Sequence, residues 1–200
     1  ITGCGNSGSL LEKSTQRLAE LGVDYEPGGY LSLRGKQVGD YRFLASIPDA
    51  KFFRLDSTDI NDDDLRFVAR AINLGGADLN QTDITDEGIS HLRRHRKSPS
   101  FKNLSLRSTA VTCETLPYFQ HLDSLRLAGS KLSPAGLRRI AKITQSKSLE
   151  FLSIDHTEIG NADLETLLSI KVEAICIHKG QFGFDALPEL ERKFDVLQVR

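Results

Sequence analysis

The 200 residues carry 26 basic and 27 acidic side chains, a formal net charge of -1. So even a balance excludes a chain built for non-specific adhesion to nucleic acid, and no specific nucleic-acid partner is expected either. No apolar run approaches the roughly 18 residues of a membrane span. The three cysteines, Cys4, Cys113 and Cys176, are too few and too scattered for a disulfide framework or a zinc ribbon.

The chain opens Ile1, Thr2, Gly3, Cys4, followed by Gly5, Asn6, Ser7, Gly8 and Ser9. An apolar residue, small residues and a cysteine ahead of a flexible Gly/Ser stretch resemble a bacterial lipobox. That resemblance implies a lipoprotein: a signal peptide is removed, Cys4 is lipidated, and the protein is exported and membrane-anchored at the bacterial envelope. The alternative reading is a cytoplasmic adaptor.

Residues 1–9 are therefore assigned to the lipobox-like start and tether, and 10–28 to a capping helix and turn. Leu10, Leu11, Leu18 and Leu21 recur at helical spacing, and Gly22 supplies a C-terminal stop. Val23, Tyr25 and the turn Pro27, Gly28, Gly29 lead into a first strand.

From residue 29 to 200 one pattern returns. Leu55, Thr58 and Ile60 are matched by Leu79, Thr82, Ile84, by Leu106, Thr109, Val111, by Leu127, Ser130, Leu132 and by Ile154, Thr157, Ile159. Weaker copies open at Leu33 and Ile177, and Val199 starts a truncated eighth. Steps in the low twenties are the signature of a solenoid whose coils bury their core against one another. Alternation such as Leu104, Ser105, Leu106 marks a short half-buried strand in each coil.

A helical face follows, at Leu65 and Val68, Ile89 and Leu92, Leu116 and Phe119, Leu137 and Ile140, Leu164 and Leu168, Leu187 and Leu190. Asn61, Thr85, Thr112 and Ser133 stand where a helix cap is wanted, and Pro134 suits a first helical turn. The column Thr58, Thr82, Thr109, Ser130 and Thr157 is expected to satisfy the buried bends of neighbouring coils. Cys113 and Cys176 lie three coils apart, too far to be bridged.

Leu79 to Ile84 with Thr85, Asp86, Glu87, Gly88, Ile89 resembles the leucine-rich repeat family. It is closest to the bacterial, planctomycete-like variety that carries threonine where many relatives carry asparagine. The resemblance implies a right-handed α/β solenoid with parallel strands on the concave face, helices on the convex face and an N-terminal capping helix. It also implies a non-enzymatic, monomeric module for protein-protein or ligand recognition, with no cofactor, no metal and no catalytic residue.

The strand face would then present Ser32, Arg54, Asp78, Ser105, Arg126, Ser153, Cys176 and Gln198 in one column. The next column reads Arg34, Asp56, Asn80, Arg107, Ala128, Asp155, His178 and Arg200. The candidate binding residues are Arg34, Arg54, Asp56, Asp78, Asn80, Arg107, Arg126, Asp155 and His178. Cross-strand pairs are expected for Arg34 with Asp56 and Arg54 with Asp78, and no aromatic anchor is expected beyond Tyr30.

A second reading makes Cys176, His178 and Asp155, beside His156 and Lys179, a nucleophile or weak metal site. Basic residues collect at the helix returns: Arg93, Arg94, Arg96 and Lys97, then Arg138, Arg139, Lys142 and Lys147. Helix dipoles favour that arrangement, and an edge for anionic ligands is the alternative.

Overall fold

The computed structural model describes residues 7–47, 50–71 and 73–200, with the backbone alone for 7–11. Cys4 therefore lies outside the described residues. The strands are β1 (Tyr30–Ser32), β2 (Phe52–Arg54), β3 (Gly76–Asp78), β4 (Asn103–Ser105), β5 (Ser124–Arg126), β6 (Leu149–Ser153), β7 (Val172–Ile177) and β8 (Val196–Val199). They form one parallel sheet in chain order. Register is unbroken, with Leu31, Phe53, Ala77, Leu104, Leu125, Leu152, Ile175 and Leu197 in one row.

The next row is the spine: Leu33, Leu55, Leu79, Leu106, Leu127 and Ile154 are each 0% exposed. Burying one such side chain is worth about 1.5 to 3 kcal/mol, and no coil achieves it alone. The ladder runs on through this row, from Leu55 N–H to the Asp78 carbonyl at 2.8 Å and from Leu79 N–H to that of Ser105 at 2.9 Å.

Two residues past the spine the chain turns a left-handed corner, at Gly35, Ser57, Gln81, Ser108, Gly129 and His156, with φ between 54° and 68°. For a non-glycine residue this conformation costs roughly 1 to 2 kcal/mol. The corners from Gly35 to Gly129 pair their N–H with the next coil: Ser57 donates to Asn80 at 2.8 Å, Gln81 to Arg107 at 2.8 Å and Ser108 to Ala128 at 2.9 Å. In the coil of β7 the left-handed residue moves one place on, to Gly180 with φ 82°.

The threonine column works differently from the expectation. Thr58, Thr82, Thr109 and Thr157 donate to the spine carbonyls of their own coils, Leu55, Leu79, Leu106 and Ile154, at 2.6 to 2.8 Å. A hydroxyl three residues on reaches the bend it sits in more directly than one in the next coil. Where Gly180 occupies the column, the Gln181 amide instead bridges back, donating to the Ile154 and Ile159 carbonyls at 3.0 Å.

The helices are α1 (Ser7–Glu20), α2 (Leu65–Val68), α3 (Asp86–His91), α4 (Pro134–Thr144), α5 (Leu164–Leu168) and α6 (Leu187–Lys193). Helix α1 begins before residue 10 and closes with Val23 N–H on the Leu18 carbonyl and Gly22 N–H on that of Ala19, both at 2.9 Å. It is moored to the first coil by Ser14, whose hydroxyl donates to the Phe43 carbonyl at 3.2 Å, and by Arg17, which donates to Val38 at 3.0 Å. The caps at Asn61, Thr85 and Ser133 each accept a backbone N–H of the following turn.

Thr112 accepts the Glu114 N–H at 3.3 Å, yet no helix follows it. Cys113 is left-handed, with φ 66°, and Pro117 has no N–H to give and disfavours helical backbone at Leu116. Leu116 and Phe119 are nevertheless buried, at 1% and 3% exposure, so the apolar period marked the core but not the helix.

Acidic residues at the helix starts lace one coil to the next. Asp86 accepts the Thr112 and Cys113 N–H groups at 3.0 Å, the Thr112 hydroxyl at 2.5 Å and the Glu114 N–H at 3.2 Å. Asp62 does the same for Thr85, taking its N–H at 2.8 Å and its hydroxyl at 2.5 Å. The packing explains Gly88 and Gly136: a Cβ would collide with Asp62 at the first and with the Thr112 carbonyl at the second.

Candidate functional site

The in-register sheet turns residues far apart in sequence into columns, so a site on its outer face draws one side chain from each coil. Arg34, Asp56, Asn80 and Arg107, from four successive coils, line one cleft of about 250 Å³ together with Gln81 and Ser108. The sequence named the first four. It missed Gln81 and Ser108 because both stand at the left-handed corner, where alternation gives no guide to facing.

The chemistry of this cleft is set by what each group has already spent. Asp56, 7% exposed, takes Arg34 Nε at 2.8 Å, as expected. Asn80 accepts the Arg107 N–H at 2.7 Å and the Ser105 hydroxyl at 2.7 Å on the same side-chain atom. A backbone N–H only donates, so that atom must be the carbonyl oxygen, and the Asn80 amide nitrogen is left as a donor. The Arg107 guanidinium has no ion pair among the described residues. The cleft is therefore rich in donors, the Arg107 guanidinium, the fixed Asn80 amide and the Arg34 nitrogens not turned to Asp56, while Asp56 keeps one buried oxygen without a partner among the described residues.

Arg54, Asp78 and Arg126 occupy the neighbouring column on β2, β3 and β5, in register. The expected Arg54–Asp78 pair does not close to ion-pair distance. Instead Asp78 accepts the Asn80 N–H at 3.1 Å. Burial raises the Asp78 pKa above the usual carboxylate value, with the Asn80 N–H, Arg54 and Arg126 opposing.

Aromatic side chains are present beyond Tyr30, contrary to expectation. Phe52 packs against Tyr30 with ring centroids 5.7 Å apart, and the Arg126 guanidinium lies 5.3 Å from the Phe151 centroid. Both phenylalanines are register partners of the column that starts at Tyr30. Alternation two places before the column of Arg54 and Ser153 would have found them.

The Cys176 cluster is assembled but closed. Cys176 is 0% exposed and Asp155 4% exposed, so neither belongs to an open polar surface. Burial pushes the Cys176 thiol pKa up, and the Asp155 charge beside it adds to the rise. Burial acts on Asp155 in the same direction, but the Ser153 hydroxyl at 2.6 Å, the Asp155 backbone and the thiol together outweigh it and lower its pKa. A raised thiol pKa is the reverse of what a thiolate nucleophile needs. His178 lies against His156 with ring centroids 4.0 Å apart and the planes tilted by 34°. Among the described residues no group of three or more His, Cys, Asp or Glu is placed to hold a metal ion.

No family model matches the sequence, and no curated protein matches it. Among solved structures, this fold is similar to that of an internalin from Listeria monocytogenes, with a TM-score of 0.56 and 18% identity. The match covers 84% of this chain and 46% of the internalin chain, so the chain corresponds to under half of that structure's length. The likeness is one of fold. An open sheet of parallel strands, a buried leucine spine and helices on the far side define a leucine-rich-repeat solenoid.

Proposed function

We propose that the chain is a non-enzymatic recognition module that binds a carboxylate-bearing segment of a partner protein in the cleft of Arg34, Asn80 and Arg107. One observation carries this reading: the Asn80 oxygen is consumed by Arg107 N–H and Ser105, so the cleft offers donors to whatever enters. A fork of guanidinium N–H groups matches a carboxylate in charge and geometry. The exposed Tyr30 and the half-buried Phe52 on the same face supply apolar contact of the kind that dominates interface energetics.

The buried, high-pKa thiol of Cys176 supports a binding role over a catalytic one. Lipidation of Cys4 and export to a bacterial envelope complete the proposal, resting on the residues around Cys4; the mass of the cell-expressed protein against its Cys4→Ser variant tests that part.

Selection from a displayed peptide library tests the recognition. Binders enriched in Asp and Glu, weakened at least tenfold by Arg107→Ala and unaffected by Arg66→Ala on α2, support the proposal. Neutral or basic binders, or binders indifferent to Arg107→Ala, overturn it.

A further inference from the structure

From Gly88 to Cys113 there is no aspartate or glutamate, while Arg93, Arg94, Arg96, Lys97, Lys102 and Arg107 all fall in this stretch. In a chain of net charge -1 that is a strong local excess. Arg93 and Arg94 lie in the 3-10 turn Leu92–His95 that continues α3, and Arg96 caps it. A helix C-terminus carries about half a negative charge, which favours a cation in its last turn but does not balance four.

Some of the basic rim is spoken for. Lys102 and Lys147 both pair with Asp123, the first at 2.8 Å. Arg93, Arg94, Arg96, Lys97 and Arg139 form no ion pair among the described residues.

These unbalanced cations surround two clefts. One of about 390 Å³ is lined by Arg93, Arg94, Arg96 and Lys97. The other, about 290 Å³, is lined by Ser90, Arg93, Arg96, Thr115, Pro117, Tyr118 and Arg139. Arg93 and Arg96 belong to both. Arg139, on α4, donates its Nε to the Leu116 carbonyl at 2.9 Å, which anchors the guanidinium and leaves its terminal nitrogens over the second cleft. An anchored fork loses less freedom on binding than a free one. Hydroxyls from Ser90 and Tyr118 add groups that bond oxyanions, while that of Thr115 donates to the Asp86 carbonyl at 3.3 Å.

We infer that this rim, which shares no lining residue with the strand-face cleft, is a binding site for a soluble ligand bearing two or more phosphate or sulfate esters. Each cleft takes one ester group, and Arg93 and Arg96 contact both. Guanidinium forks are suited to tetrahedral oxyanions, and the paired clefts favour a ligand with several esters over a single one.

Inositol hexakisphosphate and inorganic phosphate serve as probes, by titration calorimetry at low and at physiological salt. The expected result is one hexakisphosphate per chain, bound at least tenfold more tightly than phosphate and more weakly as salt rises. Arg93→Gln with Arg96→Gln lowers affinity at least tenfold, with the circular dichroism spectrum unchanged. Arg66→Gln with Arg70→Gln, which removes two cations from the preceding coil, leaves it within twofold.

Equal losses in the two double variants would mean attraction to general charge and overturn the assignment. So would the absence of saturable hexakisphosphate binding, or binding confined to vesicles of phosphatidylcholine with phosphatidic acid.

Discussion

Thr82→Val replaces a hydroxyl with a methyl group of nearly the same volume, at a site 6% exposed. The hydroxyl donates to the Leu79 carbonyl at 2.6 Å, and no backbone N–H shares that acceptor among the described bonds. The variant loses the bond and strands a buried carbonyl, for a total of about 1 to 3 kcal/mol. Ser130→Ala in the same column is the internal contrast. The Ser130 hydroxyl has no partner among the described residues, while its N–H already serves the Leu127 carbonyl at 2.9 Å. That change should move stability by no more than about 0.5 kcal/mol.

Urea unfolding followed by far-ultraviolet circular dichroism reads both variants. An unchanged slope would confirm that the loss is in stability rather than in cooperativity. For a chain of this size, Thr82→Val should also lower Tm by roughly 2 to 4 °C per kcal/mol. Equal midpoint shifts for the two variants, or none for Thr82→Val, would refute the reading of the column.

Further outcomes follow from the same geometry. Asp86→Ala unpairs the turn at Thr112, Cys113 and Glu114 and should destabilise by about 2 to 3 kcal/mol, against a smaller loss for Asp62→Ala, whose bonds all go to Thr85; chemical denaturation compares them. Asp155 has a lowered pKa, so it contributes stability above the ordinary aspartate value of 3.8 and loses it as pH falls through the folded value. Asp155→Asn should thus be destabilising at pH 7 and converge on the parent protein in acid. Asp78 has a raised pKa and the opposite sign: its stability falls as pH rises through the window above 3.8, and Asp78→Asn should stabilise at neutral pH. A disulfide reagent should label Cys113 and Cys176 at least tenfold more slowly than free cysteine, because both are 0% exposed and have raised pKa values; rapid labelling of Cys176 would revive the nucleophile reading.

The architecture was legible because a solenoid repeats its instructions. One leucine every twenty-odd residues fixed the spine, and the spine fixed the register that brought Arg34, Asp56, Asn80 and Arg107 into one cleft. What escaped was local. The helix expected after Thr112 was defeated by Pro117 and the left-handed Cys113, although Leu116 and Phe119 kept their core positions. The Arg54–Asp78 pair was drawn from register alone, but register sets which backbones meet and not where two long side chains point. Cys176 shares an outward column with Arg54, yet the sequence could not show that the surrounding coil buries it. Gln81 and Ser108 came into the cleft through a backbone corner, for which a repeating Ser, Gly or Gln before the threonine column was the available clue.

Amide hydrogen exchange at the corner tests the continuous stack most directly. Gln81 and Ser108 are exposed residues, yet their N–H groups donate to the Arg107 and Ala128 carbonyls of the following coils at 2.8 and 2.9 Å. A single stack predicts slow exchange at Ser57, Gln81, Ser108 and Gly129 together. Exchange at unprotected rates at those positions would contradict it, and with it the cleft that the stack assembles.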